Sequence, residues 1–193
     1  MLERIASKLT ANLIKNKIIP AEDEEVYVYG WALLLSHLGS FATIFLIAFL
    51  TGEVLGTLVF VFAMLPLRSY AGGFHADTYL KCYLLSMTGY SAALLAALLW
   101  SPHHLEWTLG LLLFSLVVTL TCAPVDHPNK PLKEHQKQRN KKLSRAIASL
   151  QAALVLALWF LLPGTRHYLV WAMLGMATTS VTLLYVIVKP YKA

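Results

Sequence analysis

Six apolar segments restrict what this chain can fold into. They cover residues about 27–50, 54–67, 83–100, 107–122, 146–162 and 168–188. A helix of about 20 apolar residues crosses the roughly 30 Å hydrocarbon core of a bilayer, and its backbone groups must be bonded internally. Of all residues, 58% are hydrophobic and 13% are charged, whereas soluble domains are about 25% charged. We therefore predict an all-α, polytopic membrane protein with about six transmembrane helices.

The segments form one domain over residues 1–193, with helical spans in 27–100 and 107–188 and polar loops at 68–82 and 123–145. The second segment, 54–67, has only 14 residues, which is about 21 Å of helix. We expect it to tilt little, to thin the bilayer or to be partly re-entrant.

Residues 1–18 are predicted to form an amphipathic interfacial helix. Its apolar residues recur at spacings of three and four, and its basic residues lie on another face; they are Leu2, Ile5, Leu9 and Leu13, and Arg4, Lys8 and Lys15. A basic amphipathic helix lies in the membrane interface and is attracted to anionic lipid. Its simplest role is anchoring, and the alternative is that it frames a substrate entry site.

Basic residues are distributed unevenly along the chain. With six spans, 15 of the 16 Lys and Arg residues fall at the two termini and in the loops 68–82 and 123–145, and Arg166 alone falls on the other side. The positive-inside rule then places both termini and both loops in the cytoplasm. Thiols remain reduced in that compartment. The basic loop either sets topology and attracts anionic lipid or gathers an acidic peptide.

A polar stretch, residues 68–86, separates the second apolar segment from the third. His75 and Cys82 are seven residues apart in it. The thiolate is the reactive form of cysteine, and a nearby base generates it. This pair therefore indicates thiol chemistry, although an inert membrane cysteine is the plainer interpretation of Cys82.

Two local structures can bring the imidazole to the sulfur. If one helix covers both residues, their spacing of two turns puts them on one face. If the helix begins at Asp77 or Thr78, which are good N-cap residues, His75 lies in the preceding loop. Cys82 then lies in the early turns, where the helix dipole favours negative charge.

The residues Arg68, Gly72, Gly73, His75 and Cys82, at this spacing, resemble the signature of the AgrB family of bacterial quorum-sensing membrane endopeptidases. The order of other features is also similar: a short N-terminal helix, flanking spans, Ala123-Pro124-Val125 and Asn129-Lys130-Pro131-Leu132. The resemblance extends over nearly the whole chain, but only residues 68–86 carry a pattern that is specific to this family.

This resemblance implies a cysteine endopeptidase of the bacterial cell membrane. It would cleave the tail from a propeptide of AgrD type and cyclise the signal segment to a thiolactone or lactone through an acyl-enzyme thioester. His75 would be the base and Cys82 the nucleophile. No cofactor or metal is implied.

Four other residues are predicted to support the site. Arg68 holds a substrate carboxylate or fixes the loop by hydrogen bonds. Gly72 and Gly73 allow a sharp turn and a close approach of the backbone to substrate. Ser86 lies one turn after Cys82.

Other functions remain open from the residues alone. A non-enzymatic peptide transporter or scaffold would use His37, Arg68 and the basic loop, with Cys82 incidental. A zinc site from His75, Cys82, Cys122 and His127 matches no compact zinc motif. Small residues on the spans suit a homodimer. Nothing in the sequence indicates binding of nucleic acid.

Overall fold

The computed structural model describes residues 2–74, 76, 78–99, 105–126 and 132–188, and these residues contain seven α-helices and no strand. The helices are α1 (Leu2–Lys15), α2 (Glu24–Thr51), α3 (Val54–Ala71), α4 (Tyr79–Leu99), α5 (Leu105–Cys122), α6 (Glu134–Leu161) and α7 (Arg166–Val188). Short 3-10 turns precede α2 and α7. The predicted all-α fold is confirmed.

Five of these helical stretches are long and apolar enough to cross a membrane. They are Ala21–Thr51, Val54–Ala71, Tyr79–Leu99, Glu134–Leu161 and Pro163–Val188. The fourth predicted span corresponds to a shorter apolar helix, Glu106–Cys122. Helices α2 to α7 therefore cover the described residues of all six predicted segments except Leu162, and the chain is a polytopic membrane protein.

The second span is longer than the sequence predicted. Helix α3 continues past Leu67 to Ala71 and has 18 residues, or about 27 Å of helix. Pro66 lies inside it, and the Gln151 side-chain amide of α6 donates to the Ala63 carbonyl nearby (2.9 Å). The expected 14-residue span is wrong, and Arg68 lies in the last turn of α3 rather than in a loop.

Helix α6 also begins earlier than predicted. The basic loop was expected to reach residue 145, yet the helix starts at Glu134. Lys, Arg, Gln and Glu are strong helix formers, and residues 134–145 contain neither Gly nor Pro. The Lys133 amide donates to the Gln136 side chain (3.1 Å) at this start, and Lys137 pairs with Asp126 (3.7 Å). Much of the predicted loop is thus the basic first part of a helix.

The chain divides into two compact units. Unit 1 comprises residues 1–47 and 76–88, and thus α1, most of α2 and the start of α4. Within it the Tyr83 hydroxyl of α4 donates to Thr43 of α2 (3.1 Å). The predicted apolar face of α1 is exposed at Ile5 and Leu9, as a helix in the membrane interface requires.

Unit 2 comprises residues 48–75 and 89–193, and α7 is its central helix. Trp171 and Met176 of α7 are fully buried. The Trp171 ring packs with Phe60 and Tyr90, at centroid distances of 6.2 and 6.3 Å. On the α5 side the Ser180 hydroxyl donates to the Ser115 carbonyl (3.1 Å). Helix α7 therefore packs through both aromatic and small polar side chains.

Two glycines allow α3 and α7 to approach closely. A Cβ atom on Gly175 of α7 would lie 2.5 Å from the Phe60 carbonyl oxygen of α3 and 3.3 Å from Ala63 Cβ. A Cβ atom on Gly56 of α3 would overlap the Trp171 ring. Small residues at such crossings are typical of helices packed in lipid.

We expect Gly175→Ala to destabilise the protein, because the added methyl group meets backbone atoms of α3 that cannot turn away. Such overpacking costs about 1–3 kcal/mol. Gly110→Ala on α5 is the matched control, since nothing lies within 4 Å of its Cβ position. The thermal midpoint in detergent should fall for Gly175→Ala and stay level or rise for Gly110→Ala. Equal midpoints would contradict the close packing of α3 on α7.

Candidate functional site

Helix α3 ends in a turn that only glycine adopts easily. The Gly72 amide donates to the Arg68 carbonyl (3.0 Å) at the end of the helix. The backbone φ angle is +79° at Gly72 and +145° at Gly73. L-residues with a side chain rarely adopt these angles. The glycine pair therefore gives the chain the sharp turn that the sequence predicted.

Space is also restricted at both glycines. A Cβ atom on Gly72 would lie 2.5 Å from the Val125 carbonyl oxygen. Val125 is held there because its amide donates to the Ala71 carbonyl (3.0 Å). A Cβ atom on Gly73 would lie 2.7 Å from the Thr182 hydroxyl oxygen. The turn thus lies between the segment after α5 and the side chains of α7.

Arg68 joins this turn to α7. Its Nη1 donates to the Thr182 hydroxyl (3.1 Å), and its Nη2 donates to the Phe74 carbonyl (2.7 Å). Both bonds suit the loop-fixing role considered for Arg68, because they connect two nitrogens of one rigid group to two elements. The binding of a substrate carboxylate by Arg68 remains a prediction.

An aromatic contact reinforces the same anchoring. The Phe74 ring meets the Tyr185 ring of α7 edge to face, with centroids 4.8 Å apart. A buried apolar cluster adjoins the turn and consists of Ala71, Val118, Ala123 and Leu183. The turn is thereby fixed on its apolar side as well as through Arg68.

Cys82 lies in the first turn of α4, in unit 1. The helix begins at Tyr79, the Thr78 hydroxyl accepts the Lys81 amide (3.3 Å), and the Cys82 amide donates to the Thr78 carbonyl (3.0 Å). Of the two local structures considered, the structure supports the one in which a separate helix begins just after Thr78, since residues 76 and 78 are not helical. The thiol is half-buried and forms no disulfide.

The remaining predicted site residues fall into two groups. The Ser86 hydroxyl donates to the Cys82 carbonyl (2.9 Å), so its hydrogen is used on its own helix. His75, Asp77 and His127 lie outside the residues that the structure describes. The pairing of His75 with Cys82 therefore stays a prediction.

Cys122 lies at the end of α5. It packs against the apolar cluster of Ala71 and Ala123, and its sulfur lies 3.4 Å from the Thr121 hydroxyl oxygen. These surroundings suit a structural role for Cys122. Within the ranges that the structure describes, no three His, Cys, Asp or Glu side chains are grouped to hold a metal.

The chain is similar to one family of known proteins over nearly its whole length. A family model described as "Accessory gene regulator B" matches residues 3–186. A "Putative AgrB-like protein" of Listeria innocua is 32% identical over 143 residues, covering 70% of this chain and 69% of that protein. A protein of the same description from Clostridium perfringens is 26% identical over 200 aligned residues, covering 96% of this chain and 92% of that protein. No solved structure matches the chain.

We expect Gly72→Ala to loosen the turn much more than Gly52→Ala does. The two glycines have nearly the same φ, +79° and +76°, but nothing lies within 4 Å of the Gly52 Cβ position. Backbone strain is expected in both variants, but Gly72 also has a ψ of −153°, a combination that residues with a side chain hardly adopt and that costs about 1–3 kcal/mol. Displacement of the Val125 carbonyl is specific to Gly72→Ala.

Hydrogen exchange measured by mass spectrometry distinguishes the two variants. Amides of residues 71–74, 123, 125 and 126 should exchange faster in Gly72→Ala than in Gly52→Ala. If both variants change amide hydrogen exchange in these segments to the same degree, the contact with Val125 is not what holds the turn in place.

Proposed function

This chain belongs to the accessory gene regulator B family, and from that premise we propose that it is a membrane-embedded cysteine endopeptidase that cyclises its product. Membership in the family supports a role in the processing of a quorum-sensing peptide. The proposed thiol mechanism and the cyclisation are argued from residues of this chain. The observation that carries it is Cys82 in the first turn of α4, following a stretch that contains His75 and a glycine turn fixed by Arg68.

The first step is acyl transfer to the enzyme. His75 accepts the proton of the Cys82 thiol, and the thiolate attacks the carbonyl carbon between the signal segment and the tail. The start of a helix is the end at which a negative charge is favoured, which suits the thiolate of Cys82. The C–N bond breaks, the imidazolium returns its proton to the leaving amine, and a thioester to Cys82 remains.

The second step closes the ring. A cysteine or serine side chain within the signal segment passes its proton to His75 and attacks the thioester carbonyl. The Cys82 sulfur leaves as a thiolate and takes the proton back. A thiolactone exchanges one thioester for another, so the step is nearly isoenergetic and needs no ATP. Water must be kept from the thioester until the ring closes, since hydrolysis would give a linear product.

The substrate is proposed to be a propeptide of AgrD type, with an amphipathic leader and an acidic tail. The exposed basic residues at the start of α6 suit an acidic tail; they are Lys133, Lys137, Arg139, Lys141 and Lys142. The exposed apolar face of α1 suits a membrane surface shared with the leader. Anionic lipid would compete for the same basic residues.

We expect Cys82→Ser to abolish cleavage without disturbing membrane insertion. Hydroxyl is a far weaker nucleophile than thiolate at neutral pH, so loss should exceed about 10³-fold. Cys122→Ser is the matched control and should retain activity. The assay is mass spectrometry of a candidate propeptide incubated with each variant in liposomes. The wild type should yield a free tail and a cyclic product that is one water lighter than the linear segment.

The other outcomes identify the alternatives. Cleavage by Cys82→Ser would exclude the thioester mechanism. A linear product would retain the peptidase but remove cyclisation. Peptide transport that survives alkylation of Cys82 would favour a transporter or scaffold, and loss of activity with a chelator alone would favour a metal enzyme.

We also propose that the termini, the glycine turn and the start of α6 face the cytoplasm. Thiol labelling tests this in a background with Cys82→Ser and Cys122→Ser. Lys15→Cys should react with a membrane-impermeant maleimide only in inverted vesicles. Gly164→Cys, on an exposed turn near the sole basic residue Arg166 of the other side, should react only in right-side-out vesicles. The reverse pattern would invert the proposed orientation.

A further inference from the structure

We infer that Thr182 of α7 is a positioning residue for the reaction, acting through Arg68 on the turn that leads into His75. The inference rests on the proposed function, because it takes His75 as the base. Thr182 lies within the last apolar segment, 114 residues from Arg68 in sequence.

The Thr182 hydroxyl has a fixed orientation. It donates to the Thr179 carbonyl (2.8 Å) and accepts from Arg68 Nη1 (3.1 Å). Because its hydrogen is used in the helix, its lone pairs are left for the guanidinium. Valine has the same shape as threonine but can neither donate nor accept, whereas serine can do both.

Arg68 transmits this restraint to the turn. Its Nη2 donates to the Phe74 carbonyl oxygen at 2.7 Å, a short bond from a charged donor. That oxygen belongs to the planar peptide group that joins residue 74 to residue 75. Holding the oxygen therefore fixes the carbonyl group of Phe74, which directly precedes His75 in the chain.

Gly73 shows how closely the turn passes over this contact. A Cβ atom there would lie 2.7 Å from the Thr182 hydroxyl oxygen and 3.2 Å from Arg68 Nη1. Tyr185 lies three residues after Thr182, on the same side of α7, and its ring meets that of Phe74. Gly73 and Phe74 thus lie beside Thr182 and Tyr185, two residues on one side of α7.

The neighbouring threonines of α7 use their hydroxyl groups within their own helix rather than on Arg68. The Thr178 hydroxyl donates to the Leu174 carbonyl of its own helix (2.8 Å), and the Thr179 hydroxyl donates to that of Gly175 (3.3 Å). These bonds are the usual way in which threonine is satisfied within a helix. Thr178 is half-buried like Thr182, so Thr178→Val is a matched control.

The first test measures kcat and KM for propeptide cleavage in liposomes. Thr182→Val should lower kcat about tenfold to a hundredfold, because a small displacement of a catalytic group costs up to about 10²-fold. KM should change less than kcat, since Thr182 is not proposed to touch substrate. Thr182→Ser should restore most of the rate, and Thr178→Val should match the wild type.

The second test does not depend on activity. Hydrogen exchange of residues 72–76 should be faster in Thr182→Val than in the wild type and unchanged in Thr178→Val. Normal kcat and normal exchange in Thr182→Val would overturn the inference. A loss of kcat that Thr182→Ser does not rescue would also overturn it, in favour of packing.

Failure of the proposed function gives a different result. If the wild type leaves the propeptide intact, no reaction exists for Thr182 to assist, and its catalytic role is overturned. Exchange still decides whether Thr182 fixes the turn: faster exchange in Thr182→Val supports the structural part of the inference, and unchanged exchange overturns that part too.

Discussion

The close approach of α3 and α7 is the contact on which the larger unit of this protein depends. Helices in lipid gain little from burying apolar surface against each other, because lipid tails are equally apolar, so packing and hydrogen bonds must hold them together. The absence of a side chain at Gly175 leaves space for the Phe60 carbonyl, and its absence at Gly56 leaves space for the Trp171 ring. Since Arg68 lies in the last turn of α3 and Thr182 lies on α7, the same approach also sets the distance between these two side chains.

Polar side chains between the helices of this unit follow the same rule. Thr57 of α3 bonds with the Tyr90 hydroxyl of α4 (2.7 Å), and Glu53 pairs with His167 at the start of α7 (3.0 Å). An unsatisfied polar group in hydrocarbon is costly, so such bonds favour one particular arrangement of the helices. The Arg68–Thr182 bond is of the same kind, but it differs in its consequence because the guanidinium also bonds the turn.

The positions of the helices follow from the sequence more closely than their ends do. Long apolar segments cross a bilayer only as helices, so their existence followed directly. Capping chemistry placed one possible start of α4 at Asp77 or Thr78. The early start of α6 was missed because its Lys and Arg residues were interpreted as a loop, although charge determines topology rather than secondary structure. The extension of α3 past Leu67 was missed because Pro66 lies just before this point and proline normally ends helices. Thr182 could not be recognised from the sequence, since nothing local indicates a partner 114 residues away.

The contacts of the residues that carry the family resemblance divide them into two groups, those that build the turn and those that are proposed to react. Gly72 is needed for its backbone angle and for the space beside Val125, and Gly73 for the space beside Thr182. Arginine is needed at position 68 because a planar guanidinium can bond Thr182 and the Phe74 carbonyl at once, whereas the single ammonium of lysine on a flexible stem would not hold both in one geometry. These three residues build and fix the turn, which leaves His75 and Cys82 as the pair whose side chains are proposed to react.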